Sequence, residues 1–322
     1  MQMVGQTSAP SPEEVHEAFN AVFPPGRIRS DVGLGPMTTF RTGGSADWFL
    51  ETSEADDVAK AMVASQQLRL PVTLLGGGSN VLVGGRGVRG LVIRLRYGEI
   101  RESHAGRVRV DAGVSLNGLV RWMVSRGWAG LERWAGTPGT VGGAIHGNAH
   151  FQGHLIGDQI TRVGLIEATG AAFEVESHDM QFGYDTSRLQ HSGEAALWAE
   201  FDVSPGVPAS LREAARESLA YRKRTQPLAS RSAGCIFQNP SLTTDDVPDD
   251  IPPSAGALID RAGLKGTSVG AARVSTVHGN FIVSDGSATP REIHDLIELC
   301  RTTVQSHFGV RLRDEIRYLG EF

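Results

Sequence analysis

The glycines of this chain are bunched, and where they bunch decides which folds are open to it. There are 40 in 322 residues. They follow no fixed period and form no low-complexity tract. One bunch is "LLGGGSNVLV", residues 74–83. Gly76 and Gly78 begin the GxGxxG pattern of dinucleotide-binding folds, but Val81 stands where the third glycine belongs. The residues that follow read as a strand, whereas a Rossmann unit seats its pyrophosphate at a helix N-terminus. That fold is a poor fit. A tight turn can still cradle phosphate through exposed backbone N–H groups, with Ser79 and Asn80 as added donors. A plain glycine hairpin fits this stretch equally well.

The second bunch shifts the balance. "GTPGTVGGAIHGNA" holds Gly136, Gly139, Gly142, Gly143 and Gly147. It reads as a loop whose backbone can lie flat against an extended ligand. Two such loops point to a large phosphate-bearing cofactor without saying which.

The rest of the chain reads as mixed α+β with irregular alternation. Ser11, Pro12 and Glu14 mark a capping box for a helix over 12–22, behind a loose tail. "MTTFRTGGSADWFLETS" is strand-like with a Gly-Gly break, and "EADDVAKAMVASQQ" is helical. Residues 70–95 read as strand, glycine turn, strand, turn, strand. "RVRVDAGV" alternates as a strand. Ser115 and Gly127 bound a short helix, and short strands fill about 155–205. "PASLREAARESLAYRKR" is an amphipathic connector into a last region starting near Thr225. There a helix is expected at 256–262, strands near Arg273 and Phe281, and a helix over 290–308 with Thr289 and Glu292 as its capping box and Gly309 at its end.

A net charge of −5 argues against a protein built to coat nucleic acid. No apolar run approaches a membrane span, and the first residues lack the features of a signal peptide. Two cysteines make no disulfide framework, so a reduced, cytoplasmic setting is expected. Cys300 falls on one helical face with Ile293, Leu296, Ile297, Val304 and Phe308, which makes it core. Cys235, in "RSAGCIFQNP", belongs to no such periodicity.

Seven stretches appear in order: "TTFRTGGSA", "LGGGSNVLV", "GLERWAGTPGTVGGAIHGNA", "SAGCIFQNP", "AGALIDRAGLKG", "VSTVHGNFIV" and "FGVRLRDEIRYLG". Together they strongly resemble the bacterial UDP-N-acetylenolpyruvoylglucosamine reductase (UDP-N-acetylmuramate dehydrogenase) family, over about residues 30–322. The shorter subgroup, without an extra tyrosine-bearing loop, is the better match. The resemblance implies an α+β fold: an FAD-binding domain of the vanillyl-alcohol-oxidase (PCMH) type plus a C-terminal α+β substrate-binding domain. It divides the chain into a tail and helix start (1–20), a first FAD-binding subdomain (21–95 with 310–322), a second (96–212) and a substrate-binding domain (213–309).

It further implies that NADPH reduces tightly bound FAD, and that UDP-N-acetylglucosamine enolpyruvate then takes up hydride and a proton to give UDP-N-acetylmuramate, a cell-wall precursor. The flavin carries the hydride chemistry, while the protein positions it, stabilises charge and supplies a proton. Cofactor contacts would come from Arg41, from Gly76, Gly77, Gly78, Ser79 and Asn80, and from Gly136, Thr137, Pro138, Gly139, Thr140, Gly142, Gly143, Asn148 and Ala149. Substrate contacts would come from Tyr184, Arg224, Asn239, Lys265 and His278.

In this family a serine gives the proton, and Cys235 takes its place here. A thiol is mostly protonated at neutral pH and is a better acid than an alcohol. Glu315 matches the family's catalytic glutamate, and beside a forming enolate it must be neutral or act by orienting a cation. The family's arginine is missing, because "FGYDTSRLQ" puts Asp185 at its position. Arg188 is the expected replacement, if a bulge or turn reverses its side, with Arg222 and Arg224 in reserve. His146, His150 and His154 sit four apart, but glycines interrupt them, so neither a helix nor a metal site is expected there. The run Arg222–Arg224 suits a helix end or a phosphate contact. A monomer acting on this small molecule, without nucleic acid or membrane, is the expectation. Another flavoprotein activity, or a non-catalytic FAD-binding protein, are the competing readings.

Overall fold

Ser11 opens the first helix, Pro12–Asn20, by the expected reciprocal cap: its hydroxyl accepts from the Glu14 amide and its own amide donates to the Glu14 carboxylate at 2.7 Å. The computed structural model describes residues 10–104 and 106–322, so residues 1–9 of the expected loose tail lie outside the described residues. Val15 and Phe19 bury the inner face of this helix against Trp48 and the helix Ala55–Leu68.

Four strands form the first sheet, in the spatial order Arg29–Gly33, Ser45–Thr52, Val88–Leu95, Val72–Leu75. The first pair is antiparallel and the others parallel. The expected strand across the Gly-Gly break begins only at Ser45, because Gly35–Met37 is a 3-10 turn and Gly43 has φ 136°. After the glycine turn the chain runs into a strand, Val81–Val83, as read from the sequence. It pairs in parallel with Arg317–Leu319 from the far end of the chain.

The second sheet is antiparallel and five-stranded: Ala172–Glu176, Ile160–Ile166, Ala195–Asp202, Arg107–Asp111 and Ile100–His104. Its inward residues, including Val108, Val110, Val163, Leu165, Ala199 and Phe201, alternate as strands require. They pack under the helix Leu116–Arg126, which Ser115 caps and Gly127 ends at φ 77°. The helix Pro208–Thr225 lies along this unit, and Ser218 Oγ donates to the Arg133 carbonyl.

Residues 136–149 are not all loop. Val141–His146 form a helix. Thr140 caps it through the Gly143 amide, and Val141, Ala144 and Ile145 are buried in the core of the second sheet. Two glycines hid this turn from propensity, but a cap and a buried face outweigh them. The helix stops at His146. His150 and His154 lie in two-residue strands, so the three histidines share no helical face.

The C-terminal region carries the helices Ala255–Arg261 and Pro290–Phe308 and a small sheet of Ser268–Val269, Ala272–Val274 and Ile282–Val283. Thr289 and Glu292 cap the long helix and Gly309 ends it, as expected. Cys300, 1% exposed, is core beside Ile293, Leu296, Ile297 and Val304. Phe40 and Leu82 belong to this same core. The C-terminal region therefore packs on the turn and strand that flank the first glycine bunch.

Candidate active site

The two glycine bunches meet. A Cβ at Gly77 would lie 2.5 Å from Gly139 Cα, and one at Gly76 would lie 2.5 Å from Thr140 Oγ1. Gly78 has φ 66°, and a Cβ there would lie 2.2 Å from the Met37 carbonyl oxygen. The glycines are thus needed for loop-on-loop contact as well as for the turn. Among the described residues, none accepts from the backbone N–H groups of residues 76–80. Unspent donors on a tight turn beside a second glycine loop fit the phosphates of an extended cofactor. Arg41, at φ 62° beside this turn, donates to the Pro36 carbonyl and is exposed.

The turn also reaches the C-terminal segment. Asn80 Nδ2 donates to the Glu315 carbonyl at 3.1 Å, and the Arg317 amide donates to the Asn80 carbonyl at 2.9 Å. The Glu315 amide in turn donates to the Ile236 carbonyl at 2.8 Å, one residue beyond Cys235. Asn280, 3% exposed, fixes the other side. Its side chain accepts from the Phe237 amide at 2.9 Å and donates to the Phe237 carbonyl at 2.7 Å, while its own carbonyl accepts from Ile236. A short chain of backbone contacts therefore ties Cys235 and Glu315 to the first glycine turn.

Burial holds the Cys235 thiol well above its usual range, and the Glu315 and Asp185 carboxyl groups push it the same way. Hydrogen bonding from Asn280 and the charge of Arg222 offset only part of this. The thiol keeps its proton. Glu315 is also raised well above the carboxylate range, by burial first and Asp185 second. Tyr184, raised to about 12 mainly by burial, leans on the His150 ring at 4.8 Å and its hydroxyl accepts from the Asn239 amide at 3.4 Å.

Arg188 does not enter this cluster. The turn that could have reversed its side exists, closed between Gly183 and Thr186, with Asp185 at φ 55°. Beyond it Arg188 begins a 3-10 turn and spends its guanidinium on Glu194, at 2.8 and 2.6 Å. A cation so neutralised is a poor oxyanion partner, and the expectation for Arg188 is corrected. Asp185 instead pairs with His150, Oδ1 to Nδ1 at 2.8 Å. Gln190 braces the arrangement. Its Nε2 donates to the carbonyls of His146 and Asp185 at 2.9 and 2.8 Å, and its Oε1 accepts from Arg317.

Comparison with known proteins decides the family. An FAD binding domain model matches residues 46–176, and the model of the UDP-N-acetylenolpyruvoylglucosamine reductase C-terminal domain matches 226–319. The UDP-N-acetylenolpyruvoylglucosamine reductase of Synechococcus sp. (strain JA-3-3Ab) is 37% identical over 92% of this chain and 93% of its own. That of Protochlamydia amoebophila is 37% identical over 92% and 95%. The chain belongs to the UDP-N-acetylenolpyruvoylglucosamine reductase family. The crystal structure of the Thermus caldophilus UDP-N-acetylenolpyruvylglucosamine reductase superposes with a TM-score of 0.76, at 31% identity, covering 91% of this chain and 99% of that one. The fold is accordingly an FAD-binding domain of the PCMH type with a C-terminal α+β domain, and the chain is an FAD-dependent oxidoreductase.

Against that family frame, several expected contacts have local employment. Asn148 is fully buried, and its side chain bonds Gly183 and Gly157, which leaves it a brace for the Asp185 turn rather than a side-chain ligand for the cofactor. Ala149 follows it, half-buried, and Pro138 is exposed on the glycine loop. Gly142 faces Ala112, where a Cβ would lie 3.0 Å from the Ala112 Cβ. Thr137 Oγ1 accepts from Arg222 at 2.7 Å. Asn239 Oδ1 accepts from the Ala255 amide at 3.1 Å, so it helps start the helix Ala255–Arg261. Lys265 pairs with Asp260 at 2.5 Å. His278 Nδ1 accepts from the Asn280 amide, and burial, then Lys265, lowers its pKa. Arg224 is exposed at the end of its helix, 5.7 Å from the Tyr221 ring. Arg222 is the inner basic residue: buried, stacked on Phe151 at 3.7 Å, and lowered to about 10 by burial. Asn280 and Gln190 escaped sequence reasoning. The signal for Asn280 was its place in "VSTVHGNFIV", and for Gln190 its place at the end of "FGYDTSRLQ".

Proposed function

We propose that this chain reduces UDP-N-acetylglucosamine enolpyruvate to UDP-N-acetylmuramate at the cluster of Cys235 and Glu315, beside a cofactor cradle built from residues 76–80 and 136–143. FAD held in this cradle would supply the hydride, drawn from NADPH, that the vinyl carbon of the substrate receives. The observation that carries the reading is the tie between the two: Asn80 of the glycine turn binds the Glu315 backbone, and Glu315 binds the segment of Cys235.

The chain's own residues have three tasks. The cradle holds phosphate through backbone donors that no other described residue uses. Cys235 holds a proton and gives it to the carbon beside the substrate carboxylate, where negative charge develops. A donor with its thiol fully protonated suits that step, because the developing carbanion is a far stronger base than a thiolate. Glu315, neutral, stands beside that charge without repelling it and can donate a hydrogen bond to it. Asn239 and Tyr184 supply polar groups at the rim, and Lys265, His278 and Arg224 are offered as contacts to the sugar diphosphate. Residues 213–309 form the substrate-binding domain in this reading, and 21–95 with 310–322 and 96–212 the two parts of the FAD-binding domain. The enzyme is taken to work as a cytoplasmic monomer, which sedimentation and cell fractionation check.

The test is direct. Purified protein should carry a yellow flavin spectrum and oxidise NADPH only when the enolpyruvyl substrate is present. A flavin-loaded protein that reduces a different acceptor and ignores this substrate would overturn the reading.

A further inference from the structure

Asp185 has no task in the chemistry so far, yet the fold goes to some length to present it. It is 7% exposed, at φ 55°, in a turn gripped from two sides by Asn148 and Gln190. One carboxylate oxygen meets His150 Nδ1 at 2.8 Å, while Oδ2 is buried with no hydrogen-bond partner among the described residues. Burying a carboxylate with an unspent oxygen is costly unless a counter-charge stands close. The ligating atoms of His150, Asp185 and Glu315 all lie within 4.8 Å of one another. His150 therefore sits against both carboxyl groups, and its side chain remains a quarter exposed.

Arg317, two residues beyond Glu315, donates to Gln190 Oε1. Arg188 is spent on Glu194, and Arg222 is stacked on Phe151 and bonded to Thr137 of the glycine loop. Resting on the proposed reductase reading, we propose that His150, as an imidazolium oriented by Asp185, binds the carboxylate of the enolpyruvyl group and the negative charge that develops next to it. Asp185 fixes the ring by accepting from Nδ1–H, which leaves Nε2 as the donor to substrate. Tyr184 supports the ring face at 4.8 Å. Asp185 is the positioning residue and His150 the catalytic one.

The experiment separates the two half-reactions by stopped flow, in flavin-loaded protein. His150→Gln and His150→Ala should let NADPH bleach the flavin at a rate within about twofold of wild type. Reoxidation by the enolpyruvyl substrate should slow on the order of a hundredfold, as for loss of one oxyanion donor. Flavin stoichiometry reports that the variants fold. Asp185→Arg in the His150→Ala background should restore the rate. Unchanged reoxidation in both His150 variants overturns the inference alone. So does a stoichiometric divalent metal that is present in wild type and absent in His150→Ala, because the ring would then be a ligand. Wild-type protein that bleaches with NADPH but ignores the substrate overturns the reductase reading, and this inference with it.

Discussion

At the residue scale, the two cysteines divide cleanly. Cys300 was legible because a helix writes its buried face every three or four residues, and Cys235 stood out by lacking such a pattern. What the sequence could not convey is what surrounds the thiol. Asn280, Glu315, Asp185 and Arg222 come from four separate segments. Their convergence is a product of tertiary packing that no local period encodes. The same holds for the pair of Asp185 and His150, which lie 35 positions apart, one in a turn and the other in a two-residue strand. Asp185 looked like a defect in sequence, while in space it is the anchor of a histidine. Glycine at 78 makes a sharper local prediction. With φ 66° and a carbonyl oxygen 2.2 Å from any added Cβ, Gly78→Ala should lower the melting temperature, by about 1–3 kcal/mol of backbone strain, and weaken flavin retention on gel filtration. A variant with wild-type melting and flavin content would refute the cradle.

At the element scale, caps and alternation carried most of the fold. Thr289, Glu292 and Gly309 bound the last long helix where their chemistry says they should. Thr289→Ala should cost about 1 kcal/mol in chemical denaturation and leave turnover unchanged, because the cap is remote in role from the chemistry. The helix Val141–His146 was the miss. Its glycines read as loop, and only burial against the second sheet shows why a short helix forms there. Asn280 has the opposite character, a single side chain that stands in for a strand pairing. Asn280→Ala leaves the Phe237 amide and carbonyl buried and unpaired, so a loss of about 1–3 kcal/mol is expected. It should also slow substrate reduction more than flavin reduction, which rapid kinetics would register.

At the scale of the whole molecule, the C-terminal strand Arg317–Leu319 returns to pair with Val81–Val83. That closure brings Glu315 to the glycine turn, and it could not be read from either segment alone. Buried titratable groups make the assembly sensitive to pH on both sides. His146 is lowered from 6.5 to about 4, by burial first and then by Arg317 and His191. Its neutral form belongs to the folded state, so its contribution is complete above 6.5 and is lost as pH falls towards about 4. His146→Gln should flatten the fall in melting temperature across that window. Glu315 works in the other direction. Its folded pKa is raised, so its contribution is complete below the unfolded carboxyl range and is lost as pH rises through the folded value. Glu315→Gln should therefore gain stability relative to wild type as pH rises, measured by the same melts.

In the proposed reaction Cys235 gives the proton that completes substrate reduction. Stopped-flow spectroscopy of Cys235→Ala and Cys235→Ser, loaded with flavin, tests it most directly. The alanine variant should be reduced by NADPH at close to the wild-type rate, yet reoxidation by the enolpyruvyl substrate should slow by a factor on the order of 10² or more, the scale of one lost general acid. The serine variant should keep substantial activity with a shifted pH profile. Reoxidation of the alanine variant at the wild-type rate would mean that Cys235 is packing, and the account of the site would fail.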